Sequence, residues 1–84
     1  MARKSAAEEV KFDRELDVRG LHCPMPALRA RLMLTRMKSG QVLRIVATDP
    51  GAPRDFATFA MKTGHALIAQ SSARREFAFY LRKA

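Results

Sequence analysis

Cysteine, tyrosine and tryptophan are nearly missing from this chain, which has one, one and none of them. A lone thiol, Cys23, cannot close an internal disulfide, form a two-cysteine redox pair or build a multi-cysteine zinc site. The two histidines, His22 and His65, are scattered, so neither a structural metal nor a cofactor is expected. No stretch approaches the roughly 18 consecutive apolar residues of a membrane span. The opening segment, MARKSAAEEVKFDRE, is polar and holds no apolar core of signal-peptide type. The expectation is a cytoplasmic protein with no membrane partner. There is also no Ser/His/Asp set, no phosphate-binding glycine loop and no recognisable pair of carboxylates. The chemistry left to the chain is that of one sulfur.

What is present suits a single small domain. At 84 residues, a chain buries only about 60–65% of the surface its unfolded form exposes, enough for one two-layer core. Hydrophobic residues at 48% and charged ones at 29% are globular proportions rather than those of a disordered chain. Sixteen Lys and Arg against eight Asp and Glu leave a formal charge of +8, which favours polyanions or acidic protein surfaces. The cations are scattered, and no run reaches the five or six like charges of a basic tail. An acidic partner is therefore favoured over direct nucleic-acid binding, which is not expected.

Hydrophobic periodicity divides the chain into six elements. Residues 1–13 read as a flexible leader, and residues 14–84 as one domain. ELDVR alternates, with Leu16 and Val18 on one side, and reads as a half-buried strand. Gly20 allows a turn after it. From Pro24 the period becomes helical: Ala27, Ala30, Met33, Leu34 and Met37 share a stripe that Leu28 and Leu32 widen. Ser39-Gly40 is expected to close this helix, with Arg36 and Lys38 complementing its negative end. QVLRIVAT alternates again, placing Leu43, Ile45 and Ala47 on one face. DPGAP starts a second helix with Pro53 in its first position; Phe56, Phe59, Ala60 and Thr63 follow at helical spacing, and Gly64 stops it. ALIAQSS and EFAFYLR are the last two strands, with Phe77, Phe79 and Leu81 facing inward. The order βαβαββ predicts an α+β fold: a two-layer α/β sandwich whose four-stranded mixed sheet carries both helices on one face. The first strand–helix–strand unit should cross over right-handed.

Cys23 falls where the first strand gives way to the first helix, in GLHCPMP. Helix-initial N–H groups have no intrahelical acceptor, so Pro24 and Pro26 cost nothing there and preset the backbone. Pro24 also biases Cys23 away from helical angles. A thiol at a helix N-terminus commonly has a lowered pKa, and the same is expected of Cys23. A free cysteine in such a place can also be a small apolar filler. Gly20 and the two prolines favour instead a rigid, exposed corner. His22, adjacent in an extended segment, points the other way and is poorly placed as a base. A reactive thiol without acid–base apparatus suits carrying a group between partners.

At LDVRGLHCPMP the chain resembles the TusA/SirA family of small sulfur carriers, whose mark is LD-x-x-G-L-x-C-P-x-P. Leu16, Asp17, Gly20, Leu21, Cys23, Pro24 and Pro26 match it, and the likeness continues through Gly40, Asp49-Pro50, Arg54-Asp55 and Gly64-His65. The resemblance implies a sulfurtransferase-type carrier that holds sulfane sulfur as a persulfide on Cys23, with Gly20, Pro24 and Pro26 in support. It implies a donor that is a cysteine desulfurase or rhodanese-like protein. It also implies an acceptor of the DsrE/TusD type, serving tRNA thiolation, molybdenum-cofactor biosynthesis or sulfur oxidation. Arg54 and Asp55 would help dock a partner, unless Asp55 merely caps the second helix and Arg54 is solvated. Two other classes stay open: an RNA-binding module, and a regulatory interaction module in which the cysteine is incidental. RNA affinity surviving Cys23→Ser would favour the first of these, and an unchanged biological effect in that variant would favour the second.

Overall fold

Alternating apolar side chains and glycine-bounded turns produce four strands and two helices in the computed structural model, which describes residues 10–84. Residues 1–9 of the expected leader lie outside the described part. Strand β1 spans Arg14–Val18, helix α1 Met25–Thr35 and β2 Val42–Ala47. Helix α2 spans Ala52–Thr63, β3 Ala66–Ala73 and β4 Glu76–Arg82. The sheet order is β1-β2-β4-β3. β1 runs parallel to β2, with Val18 opposite Ala47; β4 is antiparallel to both β2 and β3. A register shift between Leu67 and Ala69 interrupts the edge strand β3.

Both helices lie on one face, as the two-layer expectation required. Val18, Leu43, Ile45, Ala47, Phe79 and Leu81 of the sheet meet Ala30 and Leu34 of α1 and Ala52, Phe56 and Phe59 of α2 in one buried cluster. Gly64 takes the left-handed conformation at φ +83° and ends α2, its N–H bonded to Ala60 O at 3.0 Å. Pro53 stands one place later than expected, because Gly51 is the capping residue and Ala52 the first helical one.

Helix α1 departs further from expectation. It stops at Thr35, well before Ser39-Gly40. The N–H groups of Arg36 and Met37 turn back to Met33 O and Leu34 O, three residues earlier. This tightened last turn drops Met37 into the core. The cation at this end is Lys83, from the far end of the chain, whose Nζ donates to Met37 O at 2.7 Å. Arg36 and Lys38 lie beyond the last turn. Leu28 and Leu32, expected to widen the buried stripe, are 47% and 62% exposed. Leu28 instead borders an open groove between the two helices.

The other sheet face is covered locally by residues 10–13. Asp13 N–H donates to Val42 O, and Val42 N–H to the Asp13 carboxylate, each at 2.8 Å. Val10 packs on Ala78 and Tyr80. The Arg44 guanidinium lies 5.8 Å from the Phe12 ring centre and 5.9 Å from that of Tyr80, and its Nε donates to Tyr80 Oη. Tyr80 is thereby buried.

His65 stacks on Phe59, and its Nδ1 accepts the Ala84 N–H at 3.0 Å. Burial, then the nearby Lys83 charge, lowers its pKa. A lowered folded-state pKa means the neutral ring is the stabilising form. The contribution is full above the usual histidine value of about 6.5 and is lost as pH falls through the lower folded value. Because the ring is only half-buried and solvent screens the effect, the loss should be below about 0.5 kcal/mol. Urea midpoints taken from pH 7.5 to 5 should fall slightly for the wild type and stay flatter for His65→Gln.

Candidate functional site

Two parallel strands side by side, each followed by a helix, place two strand-to-helix loops next to each other. β1 ends at Val18 and β2 at the paired Ala47, so residues 19–24 and 48–51 leave the same end of the sheet. The first loop turns at Gly20, whose φ of +81° is one that L side chains rarely adopt. The Leu21 N–H returns to Val18 O, and the Gly20 N–H donates to Thr48 Oγ1 at 2.8 Å, joining the two loops.

Cys23 follows, exposed, in the last turn before α1. The Cys23–Pro24 peptide is cis. Pro24 caps α1 at φ −97°, ψ 12°, one place ahead of the first helical position, and Pro26 is buried in the first turn. The Met25 N–H is taken by His22 O at 2.9 Å. With Pro26 lacking an N–H, Ala27 is the first-turn residue whose N–H can serve an anion at the sulfur. His22 is exposed.

The electrostatics of the thiol are the reverse of the expected ones. Its pKa is raised: the Asp55 carboxylate, as an acceptor, favours the protonated form, desolvation disfavours the thiolate, and the Asp55 and Asp49 charges add to the effect. Both carboxylates belong to the second loop and its helix, and both reach back over Gly51. A Cβ placed on that glycine would lie 3.4 Å from Asp49 Oδ2 and 3.7 Å from Asp55 Oδ2. The capping residue of α2 is Gly51, which has no side chain to cap with, and Asp55 stands in the helix's first turn. The helix end, thinned by two prolines, offers about half a charge, and desolvation with two full carboxylate charges outweighs it.

Asp55→Asn should therefore increase Cys23 reactivity toward iodoacetamide at pH 7.5. Each pKa unit recovered multiplies the thiolate about tenfold and lowers its intrinsic nucleophilicity about threefold. The net expectation is a rate increase of about threefold per unit, with the midpoint of the pH–rate curve moved downward. An unchanged midpoint would remove Asp55 from the thiol's electrostatics.

Of the remaining candidates, Arg54 is exposed on the first turn of α2, with no ion-pair partner among the described residues. Beside Pro24 a shallow groove of about 250 Å³ runs between the helices, floored by Ala27, Leu28 and Phe59 and edged by Arg31 and Lys62. Met25, Leu28 and Leu32 continue this apolar strip along α1. Among the described residues no cluster could hold a metal ion and no helix is long and apolar enough to cross a membrane. The pairing of Asp55 with Cys23 escaped sequence reasoning, since the two are far apart in the chain. Its one available signal was the Asp-Pro/Arg-Asp spacing after the second strand.

Comparison with known proteins gives a consistent result. The family model described as "Sulfurtransferase TusA" matches residues 14–83. The chain is 49% identical over 72 residues to the sulfur carrier protein TusA of Allochromatium vinosum, covering 86% of this chain and 95% of that one. It is 34% identical to the sulfur carrier protein TusA of Pseudomonas syringae, covering 90% of each. In structure it is similar to a SirA-like protein from Desulfitobacterium hafniense, with a TM-score of 0.69 at 16% identity, over 83% of this chain and 96% of that one.

Proposed function

This chain belongs to the TusA family of sulfur carriers, and from that membership we propose that Cys23 receives sulfane sulfur as a persulfide and passes it to an acceptor protein. The observation that carries the reading is the position of the thiol: the one cysteine, exposed, on a corner held by Gly20 and two prolines. Loading is an exchange at sulfur. The Cys23 thiol gives up its proton, its thiolate attacks the outer sulfur of a donor persulfide, the donor's S–S bond breaks, and the donor leaves as a thiolate that takes up a proton. The proton of the donor's outer sulfur stays with it, so no oxidant or reductant is consumed. Delivery repeats the step with Cys23 as the leaving group.

Asp55 and Asp49 fit this cycle. They hold the empty carrier as a thiol, which is slow to react with adventitious electrophiles. Once loaded, the more acidic persulfide would sit as an anion beside two carboxylates, a state that transfer relieves. The apolar strip of Met25, Leu28 and Leu32 next to the sulfur suits transient protein contact. A cysteine desulfurase or a rhodanese-like protein is the proposed donor, and a DsrE/TusD-type protein the acceptor. The setting is cytoplasmic sulfur relay for tRNA thiolation, molybdenum-cofactor biosynthesis or sulfur oxidation. The alternative of an RNA-binding module draws no support from the sheet, whose only tyrosine is buried beneath Phe12 and Arg44.

Intact mass spectrometry tests the proposal. Incubation with a cysteine desulfurase and cysteine, or with a rhodanese and thiosulfate, should add one sulfur atom that dithiothreitol removes. Folded protein that gains no sulfur from either donor would overturn it.

A further inference from the structure

The tight turn between β3 and β4 is built from the wrong residues for its geometry. Ala73 pairs with Glu76, leaving Arg74 and Arg75 as a two-residue loop. Both are left-handed, at φ +52° and +66°. Such turns select Asn-Gly or Asp-Gly, because a Cβ is unfavourable at positive φ. Two consecutive arginines there satisfy no local rule, and departures of this kind concentrate at functional positions.

The turn also lies at the Cys23 end of the molecule. Phe77, the second residue of β4, lies opposite the last residue of β2, which is itself opposite the last residue of β1, so the hairpin tip and the Cys23 loop leave the sheet on the same side. Arg19, in that loop, ties them together by reaching Glu76 at 3.4 Å while pairing with Asp17 at 3.0 Å. Adjacent strands are about 4.8 Å apart, which puts the tip within the span of one partner loop from the sulfur. Arg74 and Arg75 are exposed and have no carboxylate partner among the described residues. Of the acidic groups at this end, Asp17 and Glu76 are paired with Arg19, and Asp49 and Asp55 lie together over Gly51 on the neighbouring loop and helix.

We propose that the Arg74–Arg75 turn is a docking point for an acidic loop of the protein that exchanges sulfur with Cys23. The proposal rests on the carrier reading above and adds to it where the partner's charge is recognised. An acidic protein loop is favoured over RNA because two cations track few phosphates and no exposed aromatic side chain stands beside them for a base to stack on.

The test uses a synthetic peptide whose cysteine is a mixed disulfide with thionitrobenzoate, flanked either by glutamates or by glutamines. Cys23 attacks the peptide sulfur, a Cys23–peptide disulfide forms, and the S–S bond to the aryl group breaks. Thionitrobenzoate leaves as the coloured thiolate, with no net oxidation. On the wild-type chain at low salt the glutamate peptide should react about tenfold faster than the glutamine peptide, and high salt should abolish the difference. R74N/R75G should lower the preference to about twofold while melting several degrees higher, since it suits the turn better. R74K/R75K should keep most of the preference. An equal rate for the two peptides on the wild type, or an undiminished preference in R74N/R75G, would overturn the docking proposal. So would a labelled oligoribonucleotide that binds the wild type and not R74N/R75G when the peptides show no preference, which would assign the tip to RNA. Sulfur loading from the desulfurase is measured in parallel. A wild type that prefers the acidic peptide yet takes up no sulfur leaves the docking site standing and removes the carrier reading.

Discussion

Cys23→Ser is expected to abolish sulfur loading completely and to leave the fold unchanged. The chain has no second thiol to substitute for it. A serine hydroxyl remains protonated at neutral pH and forms no persulfide, so the expected result by mass is no sulfur adduct rather than a slower one. The fold should not register the change. Cys23 is exposed and outside the buried cluster, and surface substitutions of similar size stay within about 0.5 kcal/mol. The corner is set by Gly20, its bond to Thr48 Oγ1 and the two prolines, none of which needs the sulfur. Superimposable circular dichroism and melting curves, with no adduct from either donor, are the predicted outcome. An adduct of one sulfur on the serine variant would place the carried atom elsewhere and end the assignment of Cys23.

Phe56→Ala should have the largest effect on stability. The Phe56 side chain is fully buried, 4.7 Å from the ring centre of Phe79 and 6.3 Å from that of Phe59. It is the point at which α2 engages the central strand β4. Truncating a buried phenylalanine costs about 3–5 kcal/mol. A domain of this size has total stability toward the low end of the usual 5–15 kcal/mol. The expected consequence is substantial unfolding at 37 °C and a urea midpoint reduced by more than half. Phe56→Leu, which keeps most of the volume, should cost about 1.5 kcal/mol or less. The site would follow the core, because Asp55 is adjacent to Phe56 on α2 and meets Cys23 only while that helix is seated. A midpoint close to wild type for Phe56→Ala would show that the two layers are not held together through this ring.

Much of this was legible in the chain because it depends on local periodicity. Alternation in QVLRIVAT and EFAFYLR marks the buried face of each strand, and Leu43, Ile45, Phe79 and Leu81 are buried as that pattern requires. Gly64 stops a helix wherever it is placed, since its freedom at positive φ is a property of the residue. Helix α1 was less legible. Its apolar residues spread around the helix, so periodicity could not separate the buried Leu34 from the exposed Leu28 and Leu32. Nor could it foresee that Met37 would leave the helix for the core, with its carbonyl held by Lys83.

By itself, then, the sequence determined the order of elements, the two-layer α+β class, the single thiol and the corner on which that thiol stands. These follow from hydrophobic spacing, glycine and proline stereochemistry, and residue count, all of which act over a few neighbouring residues. The tertiary structure decided the thiol's electrostatic surroundings, the covering of Tyr80 by Phe12 and the placement of Arg74 and Arg75 at the sulfur's end of the sheet. Each depends on β1 lying parallel beside β2, with β4 next in line. The sign of a pKa shift is set by charges within a few ångströms through space, and strand order, not distance along the chain, brought Asp49 and Asp55 to Cys23.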